Sequence, residues 1–166
     1  MFRRVTLPRS IAGRLYLTSM PGAEESMAEF NERAVEYAIN RIICLTPMGE
    51  VDEESLHYAQ AIRTHTNSWE HTIFPIPDYG IPRDWKGFLD LVKITGSELQ
   101  AGKNALTHCR MGIGRTGMFA TVVLMALGVP YDQAKYEVKS AGSNPETRIQ
   151  RDLIAWCREQ LQPDQG

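Results

Sequence analysis

The stretch His108 to Gly117, HCRMGIGRTG, gathers one thiol, two guanidiniums and three glycines within ten positions. Gly112, Gly114 and Gly117 allow the backbone to turn tightly and bring its N–H groups towards one point. A helix opening near Arg115 would aim its N-terminal N–H groups and its dipole at the same point. Such a concave nest of donors binds anions. Arg115 adds a planar fork that matches two phosphate oxygens. Cys109 stands at the edge of this positive bowl, where a thiol ionises more readily than a free one and becomes a nucleophile at neutral pH. A nucleophile, a phosphate cradle and a cation in one loop point to attack of sulfur on a bound phosphoryl group.

The same glycines also spell G-x-G-x-x-G between a strand and a helix, the pattern of a dinucleotide site. Arg115 would crowd a pyrophosphate there, and no further strand follows to complete the unit. Glu137 has about the spacing of a ribose-binding acid, but within an expected helix. A loop that binds phosphate without turnover is a further alternative, against which Cys109 and Arg115 both stand intact.

C-x5-R followed by Thr, with His before the Cys, resembles the phosphate loop of the cysteine-based protein tyrosine phosphatases. The short chain resembles their dual-specificity branch, with the likeness running by element order from about Gly13 to Leu161. The loops LTPMGE and PIPDYGIP are similar to those of the kinase-associated phosphatase and Cdc14-like group. The resemblance implies that Cys109 forms a phosphocysteine and that Arg115 binds phosphate and holds the transition state. It implies that Thr116 hydrogen-bonds the sulfur and eases its departure. The N–H groups of Arg110, Met111, Gly112, Ile113, Gly114 and Arg115 would cradle the phosphate, and His108 would orient the loop through a backbone hydrogen bond.

The leaving oxygen needs a proton, and the same group can later accept one from water. The resemblance implies an Asp on a mobile upstream loop. Asp78, between Pro77 and Gly80, fits. Asp84 is the rival, read rather as the cap of the helix that follows. Gln150 resembles a water-positioning glutamine, with a solvated helix residue as the alternative. Glu50 is read as an ordinary exposed turn acid, with an orienting contact to Arg115 as the alternative. Arg110 adds local positive charge that could meet an acidic substrate flank. Cys44 ends an apolar strand; the plain reading is a core thiol, and the resemblance implies a reversible disulfide with Cys109. Cys157 reads as packing. His57, His65 and His71 share no metal-ligand spacing.

These groups need elements to place them. Strands are expected at 13–18, 41–45, 70–76 and 105–108. Helices are expected at 26–39, 52–63, from Trp85 to Leu99, 115–127, 131–141 and 145–161, the last capped by Asn144 with Pro145 at its first position. The apolar run from Ala120 to Leu127 reads as a buried helix. This order predicts an α/β fold, a central and mostly parallel sheet with helices on both faces. The resemblance implies a protein tyrosine phosphatase-like fold.

The 166 residues fit one domain, taken as a single phosphatase domain over residues 1–166. Hydrophobic residues make up 43% and charged residues 23%, which excludes a disordered tail or a collagen. The formal charge of −2 gives no call for nucleic acid. Three widely spaced cysteines form no disulfide framework, and no apolar run approaches the ~20 residues of a membrane span. The expectation is a cytoplasmic monomer without cofactor or metal. Its substrate would be a phosphorylated protein, carrying phosphotyrosine and, in a shallow pocket, phosphoserine or phosphothreonine. A phosphoinositide or RNA 5′-phosphate phosphatase is the enzymatic alternative, and a catalytically weak phosphate-binding module the other.

Overall fold

A computed structural model describes residues 1–162; the last four positions of the expected single domain lie outside the described residues. Five strands form one sheet, β1 (Arg3–Val5), β2 (Leu15–Thr18), β3 (Arg41–Cys44), β4 (Glu70–Ile73) and β5 (Ala105–His108). The spatial order is β1-β2-β5-β3-β4, and every pairing except β1 with β2 is parallel. The expected α/β architecture is present, and β1 is a strand beyond the four expected. Its short, polar sequence carries no alternation: Val5 and the preceding Phe2 are both buried, but in core clusters on opposite faces of the sheet.

Among the described residues seven helices cover the sheet: α1 (Met27–Glu36), α2 (Met48–Glu54), α3 (Leu56–Thr64), α4 (Trp85–Gln100), α5 (Gly114–Ala126), α6 (Tyr131–Ser140) and α7 (Arg148–Leu161). The period-two alternation of the strands sorts the two faces. Leu15, Leu17, Ile43 and Ala105 pack with the helices α4 to α7. Tyr16, Ile42 and Leu106 pack with α1, and Cys44 packs with Tyr58 and Ile62 of α3. The run read as one helix over 52–63 is two, because Ser55 leaves the helical conformation (φ −153°, ψ 84°).

The last helix starts at Arg148 rather than at Pro145. Thr147 is its cap, and Thr147 and Gln150 form a reciprocal capping box. Asn144 is instead part of an extended approach packed on α5: a Cβ at Gly117 would lie 2.6 Å from the Asn144 nitrogen. The apolar run after Gly117 is the core of α5, buried from Gly114 to Leu124. No helix among the described residues is long and apolar enough to cross a membrane.

Candidate active site

The carboxyl end of β5 runs directly into the loop 109–113 and then into α5, between the parallel neighbours β2 and β3. Cys109 is 3% exposed and Arg115 2% exposed. The loop carbonyls are tied off from outside. Cys109 O meets His108 Nδ1 at 3.0 Å. Arg110 O accepts from the Met20 N–H at 2.9 Å. Gly112 O accepts from Arg3 Nη2 at 2.6 Å and from the Ser143 hydroxyl. Ile113 O accepts from the N–H groups of Gly117 (2.8 Å) and Asn144 (3.2 Å). A trans peptide directs its N–H opposite to its C=O. Pinning these carbonyls outward therefore turns the N–H groups of Arg110, Met111, Ile113 and Gly114 to the inner side of the loop. Gly112 adopts φ +71°, and a Cβ there would lie 2.3 Å from Thr18 O, so the turn requires glycine.

Arg115 is held by a fork of four contacts. Nη1 donates to Glu50 Oε2 and to Ile76 O, each at 3.0 Å. Nη2 donates to Glu50 Oε1 at 2.8 Å and to Asp78 Oδ1 at 3.1 Å. Burial works against its charge. The Glu50 hydrogen bonds and the negative charges of Cys109, Glu50 and Asp78 outweigh that, and its pKa is raised. Glu50 thus has Arg115 as its partner, the alternative set beside the exposed turn acid. The turn-acid reading fails because α2, which carries Glu50, starts at Met48 and brings the carboxylate to the guanidinium.

Asp78 lies at the same bowl, its side chain about half-exposed. Its loop is a tight turn in which the Gly80 N–H donates to Pro77 O at 2.8 Å and Tyr79 takes φ +58°. That left-handed conformation is costly for a side chain such as tyrosine. The start of α7 holds it in place: Thr147 Oγ1 donates to Tyr79 O at 3.0 Å and Gln150 Nε2 donates to Gly80 O at 3.2 Å. Gln150 is fully buried, so its alternative reading as a solvated helix residue does not hold. Its Oε1 accepts from the Glu146 N–H at 2.8 Å. Asp84 caps α4 by accepting from the Gly87 N–H at 2.8 Å.

Thr116 is buried, and its hydroxyl has no hydrogen-bond partner. The contact expected between Thr116 and the Cys109 sulfur is therefore not made here. Arg110 pairs with Glu54 at 2.9 Å, and Met111 is 57% exposed beside it. Cys44 faces His108 in the β3–β5 register, one position from Cys109. Burial raises its pKa to about 11. Cys157 is buried in the core.

Three features of the site were not foreseen. His71 Nε2, the Tyr58 hydroxyl and His108 Nε2 form a chain, with separations of 3.2 and 2.8 Å. Its polarity follows from the acceptor at the far end: His108 Nδ1–H donates to Cys109 O, Tyr58 O–H donates to His108 Nε2, and His71 Nε2–H donates to Tyr58. Burial pushes both histidines down to about 4, consistent with two neutral rings. The second feature is Glu146, whose carboxylate sits against Gly114: a Cβ there would lie 2.1 Å from Oε2. The third is Arg3 behind the loop. All three arise from contacts between segments far apart in the chain, which no local pattern encodes.

The family model described as the Swiss Army Knife protein DSP-PTPase phosphatase domain (PTP-SAK) matches residues 11–163. Among solved structures, kinase-associated phosphatase with serine in place of its catalytic-site cysteine is similar with a TM-score of 0.81 and 19% identity, over 97% of this chain and 95% of that one. Tk-PTP in its active form gives a TM-score of 0.71 and 24% identity, over 91% and 97%. PTPMT1 in complex with PI(5)P gives 0.71 and 11%, over 89% and 91%. At such identities these structures speak for the fold.

Proposed function

This chain belongs to the DSP-PTPase phosphatase domain family, and on that footing we propose that it is a single-domain phosphatase that hydrolyses phosphate monoesters on proteins through a phosphocysteine. The observation that carries the reading is the convergence of inward-turned loop amides, the Arg115 fork and the Asp78 carboxyl around Cys109.

In the first step the Cys109 thiolate attacks phosphorus. The S–P bond forms as the P–O bond to the substrate breaks, and Asp78 gives its proton to the leaving oxygen. In the second step water attacks phosphorus, Asp78 takes a proton from it, and the sulfur leaves as inorganic phosphate forms. The loop amides and Arg115 stabilise the charge on the equatorial oxygens in both steps. We assign Thr116, whose hydroxyl is otherwise unpartnered, as donor to the departing sulfur. We assign Gln150 to hold the Asp78 loop and to orient the water.

The surroundings favour a phosphorylated side chain over a polyanionic headgroup. Tyr79, Met111 and Ile149 are large apolar residues exposed at 59%, 57% and 48%. They lie next to Asp78, within the phosphate loop and next to Gln150 respectively. Glu50, Asp78 and Glu146 are acidic, and Glu54 offsets Arg110. A headgroup with several phosphates would meet these acids. PTPMT1 is a fold neighbour seen with PI(5)P, so lipid is the comparison that matters. Hydrolysis rates on phosphotyrosine, phosphoserine and phosphothreonine peptides, PI(5)P and 5′-triphosphate RNA test the reading. The expected order puts phosphotyrosine peptide first. Faster turnover of the lipid or RNA would overturn the substrate class, and no turnover of any would leave a binding module.

A further inference from the structure

Arg3 lies on β1, before the span that the family model matches. Its guanidinium is half-buried and donates to Gly112 O (2.6 Å), Ala141 O (2.9 Å) and Ser143 Oγ (3.3 Å). None of these acceptors is charged, and among the described residues no carboxylate pairs with Arg3. Burying a cation without an anion is unfavourable. Burial pulls the Arg3 pKa down, and the negative charge that acts against this is that of Cys109. Two glycines make room for the guanidinium. A Cβ at Gly142, where φ is +81°, would lie 2.7 Å from Arg3 Nη1, and one at Gly112 would lie 2.7 Å from Nη2.

We propose that Arg3 is a positioning residue of the phosphate loop and its second cation. It holds the Gly112 carbonyl outside so that the Ile113 N–H faces the bound phosphoryl group, and its charge stabilises the Cys109 thiolate from behind. This rests on the reading that the loop binds phosphoryl oxygens. The plain alternative is a strut tying β1 to the segment 141–143, which would affect stability alone.

Orthovanadate, a phosphate-shaped oxyanion, separates the two without needing turnover. In the full chain, Arg3→Ala should weaken vanadate inhibition of para-nitrophenyl phosphate hydrolysis by roughly tenfold or more, part of the effect of losing one oxyanion donor outright. It should also move the acid limb of the kcat/KM–pH profile upward, since one stabilising charge is gone. Arg3→Lys keeps the charge but not the fork, so vanadate affinity should fall while the limb stays. Ser143→Ala removes a neutral donor to Gly112 O and should do likewise. Arg4→Ala, on the exposed side of the same strand, should change neither. The other titratable and charged groups on the segments that build the site are Arg110 with its partner Glu54, Arg115, Glu50, Asp78, Glu146, Cys44 and His108, and none is altered in these variants.

A folded Arg3→Ala protein with wild-type vanadate affinity and an unmoved limb would overturn the role of Arg3. Should Arg3→Ala fail to fold, unchanged vanadate affinity in both Arg3→Lys and Ser143→Ala would overturn it equally. A wild-type chain that neither binds vanadate nor turns over para-nitrophenyl phosphate would instead overturn the function proposed above.

Discussion

Glu50 holds Arg115 through two parallel hydrogen bonds, 2.8 and 3.0 Å long, that fix the plane of a guanidinium only 2% exposed. Bidentate pairing of this kind sets orientation as well as charge. Glu50→Gln keeps the shape and removes the charge and one acceptor oxygen. It should lower kcat/KM for para-nitrophenyl phosphate by up to about a hundredfold through misplacement of the guanidinium. Arg115→Lys should cost more, since lysine has no fork. Steady-state kinetics on both variants check this, and an active Arg115→Lys protein would contradict it.

Asp78 and Asp84 are separated by their partners. Asp78 contacts Arg115, whereas Asp84 is committed to the first turn of α4. Asp78→Asn should reduce kcat by roughly a hundredfold or more with vanadate affinity kept. Asp84→Asn should lower the melting temperature slightly and leave kcat near wild type. The reverse pattern would reassign the acid. Thr147→Val removes the donor to Tyr79 O that restrains the turn. It should lower kcat while vanadate still binds.

The buried chain His71–Tyr58–His108 makes stability depend on pH. Both histidines are pushed down to about 4 by burial, with His65 adding to the effect on His71, and His71 and Arg115 to that on His108. Between the ordinary histidine value of about 6.5 and 4 the unfolded chain binds more protons than the folded one. This contribution to stability is therefore full above pH 6.5 and falls as the pH drops towards 4. The urea midpoint should be lower at pH 5 than at pH 7, and His71→Gln should reduce the difference. Tyr58→Phe leaves His108 Nε2 without its donor and should cost about 1–3 kcal/mol. A pH-independent midpoint in the wild-type chain would contradict this account.

Cys44 lies one register position from Cys109. Burial keeps it a thiol, with a pKa near 11. Peroxide should therefore oxidise Cys109 first, giving a sulfenic acid. The Cys44 sulfur would then displace water to form a disulfide. Mass spectrometry after peroxide should find the Cys44–Cys109 bridge, and dithiothreitol should restore activity. Cys44→Ser should instead lose activity irreversibly. Full recovery of Cys44→Ser would argue against the bridge.

The glycine-rich loop and the four parallel strands were legible because each is encoded within a few neighbouring residues. HCRMGIGRTG names its own turn, and RIIC and ALTH declare buried strands. The cap of α7 was misplaced because Asn144-Pro145 is a good local helix start, and only packing against Gly117 and the Thr147–Gln150 box overrides it. Tyr58, His71, Glu146 and Arg3 stayed hidden for another reason. Each reaches the site from a segment distant in sequence, and a charged or polar residue on a short element carries no mark of what it will meet.

Covalent transfer of the phosphoryl group to one sulfur is the central step of the proposed reaction. Rapid acid quench of Asp78→Asn during turnover of para-nitrophenyl phosphate, followed by peptide mass spectrometry, tests it directly. We expect one added phosphoryl group, located on Cys109 and absent from Cys109→Ser. Turnover by Cys109→Ser at the wild-type rate, or a phosphoryl group found on another residue, would contradict the account.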